Sequence, residues 1–325
     1  MPLRICSYED RPEAMDSLIL MGESLCRAEK GARGISLHLT VPEALTAVRE
    51  WAERRPEVVL STTRPEGVSG WDVKARLLLQ ELNDGHREAL WLDADMIVTR
   101  PVSPLLKEFP PDWLIVAEEW DGVQAADVAH FWQTPPPHPV APVNSCFVRV
   151  TETHRVLLDR WLQATRDPDY RAAQSLPFER RPWRLASDQV LLTALLGSEQ
   201  FFRTPFDRIR MGRHIAQCAG SSGYAPGDRL VDLFRGLPPL IHCIGRKPWV
   251  STQDLNGRFM LDLATDVSPY VLAARKVAKD LDMTPAWLEA RTVPGTVLRG
   301  LTFGHPGLAG LPLAVLHALH TRSSG

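Results

Sequence analysis

The sequence is short of net charge, of lysine and of paired cysteines. Its 37 basic and 39 acidic residues leave a formal charge of -2. That balance gives no basis for bulk electrostatic attraction to nucleic acid, and no nucleic-acid-binding motif stands out. Six of the 37 basic residues are lysine and 31 are arginine. Such a ratio has the look of a coding bias, so arginine clusters are not read as anion sites. The five cysteines, Cys6, Cys26, Cys146, Cys218 and Cys243, are odd in number and form no C-x-x-C pair. They suit reduced thiols in a cytoplasmic protein better than a disulfide framework. The opening MPLRICSYED reaches acidic residues within ten positions and has no apolar signal-peptide region. No uninterrupted apolar run approaches the ~18 residues of a membrane span. A cytoplasmic location is therefore expected. Internal repeats and low-complexity tracts are also absent.

What is present is an ordinary globular composition, 44% hydrophobic and 23% charged over 325 residues, enough for one large domain or two smaller ones. The first hundred residues alternate strand and helix. Leu3 to Tyr8 reads as a strand, and a helix follows with Pro12 in its first turn and Gly31 at its end. ISLHLTV (35–41) alternates as a strand does, PEALTAVREWAERRP as a helix, and EVVLST (57–62) as a strand. WDVKARLLLQELNDG (71–85) is helical with a glycine stop. EALWLDADMIV reads as one mostly apolar strand, as expected when both sheet faces are covered. This order predicts an α/β domain with a mostly parallel central sheet flanked by helices. Later come strands at 113–120 and 143–150, a helix at HRVLLDRWLQATRD, and a helix within 180–198 with Ser187 as its N-cap. FFRTPFDRIRM holds a strand or two, and LPPLIHCIGRKPWV (237–250) is a strand running into a turn. Residues 121–142 and 218–228 read as loops. From about residue 256 the character changes: SPYVLAARKVAKDLDM and TPAWLEARTV look helical, and GLAGLPLAVLHALH is apolar and lacks acidic residues. The expected division is 1–255 as the main domain and 256–325 as a C-terminal helical extension. That extension could cover the site, dimerise or lie on a membrane; plain packing on the domain is favoured over membrane contact.

Asp93 and Asp95 close an apolar strand. Buried carboxylates need compensation, and in parallel sheets ligands bind beyond the carboxyl ends of strands. Two hard oxygen ligands one residue apart can hold Mn²⁺ or Mg²⁺ and leave positions for phosphate oxygens. A D-x-D also occurs as a plain polar turn; its place at the ligand edge favours function here. IHCIGRKPW (241–249) is the second signal. His242 suits Mn²⁺ beside oxygens, Gly245 lets backbone N–H groups approach a phosphate, and Lys247 offers a point charge for a diphosphate.

With those residues in view, the chain resembles the glycogenin-like, family 8, retaining glycosyltransferases of the GT-A fold. These carry a D-x-D strand end and a late H-x-x-G-x-K-P-W segment, here WLDADMIV and, about 150 residues on, HCIGRKPW. VNSCFVRV is similar to the family's asparagine-bearing strand and SDQVLL to its D-Q segment. Lys74 matches a basic residue on the helix before the D-x-D strand. The resemblance spans residues 3 to about 255. Cys146 stands where the family usually has glycine, and Val190 where an acidic residue follows the D-Q pair.

The resemblance implies transfer of a hexose from a nucleotide sugar, a UDP-sugar, to a hydroxyl of a metabolite, natural product or glycan. It implies that Asp93, Asp95 and His242 ligate Mn²⁺ (or Mg²⁺), with Asp93 also reaching the ribose. Lys247 and the Gly245 amide would stabilise the departing diphosphate, and Lys74 and Asn144 would line the donor site. Asp188 would hold sugar hydroxyls, and Gln189 would sit near the anomeric carbon. Tyr8, where the base would lie, is either a stacking partner for uracil or a surface tyrosine. The acceptor would be held by the 121–142 loop, begun by Glu118, Glu119 and Trp120, by RRPWR (180–184) and by the 218–228 loop.

Two rivals remain at this stage. A sugar nucleotidyltransferase would have a Gly-rich loop and a basic residue just after the first strand, which ICSYEDRPEA lacks. A non-catalytic nucleotide-sugar-binding protein is opposed by the retained Asp93, Asp95, His242 and Lys247.

Overall fold

Strand and helix alternate over the first hundred residues of the computed structural model, which describes residues 2–30, 34–119, 137–218, 220, 223–250 and 257–323. Among these the strands are β1 (Leu3–Tyr8), β2 (Ile35–Thr40), β3 (Val58–Ser61), β4 (Glu88–Leu92), β5 (Met96–Val98), β6 (Leu114–Glu118), β7 (Val143–Thr151), β8 (Phe206–Ile209), β9 (Ile215–Gln217) and β10 (Leu240–His242). Contacts gather the chain into two units.

The first unit comprises Met1–Pro12, Ala32–Asp93 and Lys107–Ile209. Its seven-stranded sheet has the order β3-β2-β1-β4-β7-β6-β8. β1, β2, β3 and β4 are mutually parallel, as are β6 and β8, while β7 runs antiparallel to both of its neighbours. The sheet is thus mixed and mostly parallel, as the sequence order predicts. The helix Lys74–Asn83 shows why these segments fold as they do. Leu78 and Leu82, four residues apart, are fully buried, and Gln80 and Asn83 face outward, the spacing of an amphipathic helix. They join Tyr8, Trp91, Val148, Trp161 and Tyr170 in one apolar core, where each fully buried large side chain contributes about 1.5–3 kcal/mol.

The second unit comprises Glu13–Gly31, Ala94–Leu106 and Arg210–Gly325, with a three-stranded sheet in the order β5-β10-β9. Leu20, Ile97, Ala216, Ile241, Tyr270, Val271 and Trp287 form its core. The segment expected as an extension, 256–325, lies within this unit and shares that core through Tyr270, Val271 and Trp287. Among the described residues, no helix is long and apolar enough to cross a membrane.

Two local expectations are corrected. EALWLDADMIV is two strands, β4 and β5, in different sheets, because the chain turns at Ala94 and Asp95. TPAWLEARTV is not a helix beyond the single 3-10 turn Ala286–Leu288; the next helix, Val293–Leu301, begins only after Thr292 caps the backbone of Gly295. FFRTPFDRIRM holds one strand, β8, within the expected one or two, and Met211 adds an isolated bridge. Most of the 121–142 loop and Trp120 lie outside the described residues, as do residues 219, 221 and 222 of the 218–228 loop.

Candidate functional site

In the first unit a charged cluster forms where β4 and β7 run side by side. Asp93 continues the pairing one step beyond β4, its N–H donating to Cys146 O at 3.0 Å. The β6–β7 register slips between Val116 and Ala117, after which Ala117 pairs with Asn144 and Glu118 with Val143. Ser145, Cys146 and Phe147 are skipped by β6, which brings Ser145 to the end of β4. There Lys74 Nζ stands 3.0 Å from Asp93 Oδ1 and 3.5 Å from Asp188 Oδ2. It donates to Ser145 Oγ at 2.8 Å and Ser145 O at 3.2 Å. Ser145 Oγ in turn donates to Asp188 Oδ2 at 2.8 Å.

Lys74 is the first residue of its helix, where the helix dipole disfavours a cation. It is also buried. Burial opposes its charge, but Asp188 and Asp93 outweigh burial and push its pKa up, so the ammonium persists. Asp188 begins the helix Asp188–Leu196, where a carboxylate is favoured. Burial raises its pKa, and Lys74 and Ser145 offset only part of that rise. The local conflict of a cation at this helix end is offset by its two carboxylate partners. Ser187 occupies the N-cap position, as expected, but its side chain makes no capping hydrogen bond.

Asn144 and Gln189 meet at a shared partner. The Asn144 amide donates to both Glu119 oxygens at 3.3 Å, and Gln189 Nε2 donates to Glu119 Oε2 at 2.6 Å. Asn144 Oδ1 accepts from the Cys146 N–H at 2.9 Å, so the cysteine's backbone shapes this corner while its side chain is buried. Tyr8 is not a surface tyrosine. It is buried in the core, its hydroxyl donating to Asp10 Oδ2 at 2.9 Å; burial and Asp10 raise its pKa and keep the phenol protonated.

In the second unit Asp95, His242 and Lys247 come together. Met96 pairs with His242, and one step on the Cys243 N–H donates to Asp95 O at 3.0 Å. Asp95 Oδ1 lies 3.4 Å from His242 Nε2, and Oδ2 lies 2.5 Å from Lys247 Nζ. Burial alone would raise the Asp95 pKa; Lys247 and His242 reverse this and hold the carboxyl well below its usual range. The other ring nitrogen, His242 Nδ1, is 3.4 Å from Oε1 of the fully buried Gln217 on β9. Gly245 has φ +69°, a backbone conformation that only glycine adopts without strain. Pro248 O accepts from Arg291, and Trp249 packs edge-on against Trp287 at 5.5 Å.

A cation fits this donor set. Asp95 Oδ1 is buried and accepts no hydrogen bond, and the imidazole beside it is an accepted ligand for the metals that carboxylates also bind. Asp93 is two residues upstream, so the chain keeps its Cα within about 7 Å of that of Asp95.

The chain is similar to galactosyltransferase LgtC, solved with donor and acceptor sugar analogs, with a TM-score of 0.51 and 16% identity over 87% of this chain and 98% of that one. The fold is that of the GT-A glycosyltransferases. The apo structure of the bifunctional glycosyltransferase WbbM gives a TM-score of 0.53 at 12% identity, over 86% of this chain and 51% of WbbM. No protein-family model matches the chain, and no curated protein does.

Within each unit the structure gathers most of the residues singled out from sequence. It brings Lys74, Asp93 and Asp188 into one cluster, Asn144 and Gln189 onto Glu119, and Asp95, His242 and Lys247 into another. Ser145 was missed. Its only signal was its place between Asn144 and Cys146, and a serine in an apolar strand carries little information until the slip in register exposes its partners.

Proposed function

We propose that the chain is a metal-dependent retaining glycosyltransferase that moves a hexose from a UDP-sugar to a hydroxyl acceptor. The observation that carries this reading is Asp95: a buried carboxylate between His242 and Lys247, one oxygen of which accepts no hydrogen bond, on a GT-A fold. Asp95, His242 and Asp93 would hold Mn²⁺ or Mg²⁺. When bound, such an ion acts as a Lewis acid on the departing diphosphate.

The chain's own residues would do the rest. Lys247, now on Asp95, is placed to pass to a diphosphate oxygen, and the N–H groups around Gly245 add fixed dipoles where charge develops. Lys74 orients Asp93 and Asp188 through one ammonium, and Asp188 holds donor-sugar hydroxyls. Asn144 and Gln189, fixed by Glu119, line the sugar's reacting face. The bond from the anomeric carbon to the diphosphate oxygen breaks, and the acceptor oxygen bonds on the same face. The acceptor's proton passes to the departing diphosphate. Gln189 is a poor nucleophile, which supports this internal-return route over a covalent intermediate. Tyr8 would lie by the base. The five cysteines, four of them buried, suit a reducing, cytoplasmic setting.

The test is thermal stabilisation by UDP, GDP, ADP and TDP, each with and without Mn²⁺, in wild type and Asp95→Ala. A nucleotide at 100-fold its Kd adds about 2.7 kcal/mol. The reading expects UDP to stabilise only with metal, and the variant to lose that gain. If no nucleotide stabilises the wild type, the diphosphate assignment falls.

A further inference from the structure

Beside the Lys74 cluster, still within the first unit, two large aromatic rings are left in solvent. Trp71 is 44% exposed and Phe178 is 49% exposed. Trp71 sits in the 3-10 turn Gly70–Val73, three residues before Lys74. The guanidinium carbon of Arg181 lies 5.3 Å from the centre of the Trp71 ring and 5.7 Å from that of Phe178.

None of these groups is loose. Arg181 Nε donates to Leu176 O at 3.0 Å, and Nη1 donates to Ala186 O at 3.0 Å and Gln174 Oε1 at 2.5 Å. Ala186 is two residues before Asp188. Beside the indole, the Tyr170 hydroxyl donates to Asp72 Oδ1 at 2.6 Å. Tyr170 is itself fully buried. The indole is therefore braced on its face by the cation.

The chemistry of such a surface is specific. Two half-exposed rings offer about 200 Å² of apolar face. A stable protein interface needs roughly 800 Å² from each partner, so the patch is too small for that. It matches one sugar ring, whose C–H face packs on an aromatic face while its hydroxyl rim meets polar groups. Asp72, half-buried, and Arg181 supply an acceptor and a donor at the edge. Fixing these side chains before binding removes part of the ordering cost.

We propose that Trp71 and Phe178, braced by Arg181, form a stacking platform for a pyranose ring of a saccharide acceptor. That the bound saccharide is an acceptor rests on the transfer reading above; that it binds here does not. The platform favours glycans, or aglycones already carrying a sugar, over small apolar alcohols.

Saturation-transfer NMR with lactose, maltose and cellobiose tests it on the full chain. At least one disaccharide is expected to receive saturation on its ring C–H protons. Trp71→Ala and Phe178→Ala should each cut that signal at least fivefold, and Trp71→Phe should restore most of it. If Trp71→Ala fails to fold, Phe178→Ala carries the test, because the Phe178 ring makes no hydrogen bond. No saturation of any of the three sugars in wild type overturns the platform, and so does a signal unchanged in Phe178→Ala. The UDP and Mn²⁺ melts, run alongside, separate the two ideas. Sugar binding without UDP stabilisation leaves the platform standing and removes the transfer reading; UDP stabilisation without sugar binding does the reverse.

Discussion

Lys247 Nζ lies 2.5 Å from Asp95 Oδ2. The pair joins a turn residue to the start of β5 and leaves the carboxylate charged although it is buried. Lys247 thereby compensates the buried Asp95 charge, while its own side chain stays 21% exposed.

Lys247→Met should expose that compensation. Removing one partner of a buried pair costs about 3 kcal/mol, and partial exposure lowers this to about 1–2 kcal/mol. The variant's Tm should fall in EDTA, and the gap to wild type should narrow when Mn²⁺ is added. A gap that ignores Mn²⁺ would count against a cation at Asp95.

Asp188→Asn keeps the size of the side chain and its contact with Ser145 but removes the charge facing Lys74. Transfer should drop at least 100-fold, about 2.7 kcal/mol or more, while UDP affinity by calorimetry stays within threefold. Equal losses in both would remove the sugar-holding role and leave Asp188 as a donor-site support.

Asp72 ties stability to pH. Burial raises its pKa to about 7, against the lowering effect of the Tyr170 hydrogen bond. The folded chain therefore holds a proton that the unfolded chain releases near pH 3.9. Stability should fall as pH rises from about 4 to about 7 and level off above. Asp72→Asn should remove this slope and raise stability at pH 8 by on the order of 2 kcal/mol. Melts of the two proteins from pH 4.5 to 8 decide it; parallel curves would mean that Asp72 titrates normally.

Arg291 reaches Pro248 O, pairs with Asp262 at 3.1 Å, and has its backbone N–H held by Asp266 at 2.9 Å. It anchors the turn that carries Lys247. Arg291→Met should weaken UDP binding in Mn²⁺ by about tenfold, about 1.4 kcal/mol, and shift the emission of Trp249. Arg291→Lys should recover only part, since the ammonium lacks the planar fork. Full UDP affinity in Arg291→Met would show that the turn holds its shape unaided.

Much of this was legible from residue order. β1, β2 and β3 lie where alternation put them, and the helix Lys74–Asn83 where its leucines put it, because side-chain periodicity is a local property. The D-x-D and the H-x-x-G-x-K-P-W segment stood out by their chemistry, whereas Lys74, Asn144 and the D-Q pair were marked only by the family resemblance. Glu119 was expected at the start of an acceptor loop; its place as the shared partner of Asn144 and Gln189 depends on the slip between β6 and β7. Arg291, Trp71 and Phe178 carried no signal, since an arginine in an arginine-rich chain or an aromatic near a turn is unremarkable until its neighbours are known.

The sequence by itself determined the α/β order, the strand end that bears two aspartates and the set of polar residues near it, because periodicity and the burial cost of charge act within a few residues. Only the tertiary structure decided that EALWLDADMIV divides between two sheets, that one ammonium serves Asp93 and Asp188, that Asp95 is held by His242 and Lys247, and that the C-terminal segment shares a core with β5 and β10. Those are contacts between residues tens to hundreds of positions apart, and which of many chemically suitable partners meet is set by packing and strand register, not by any local preference.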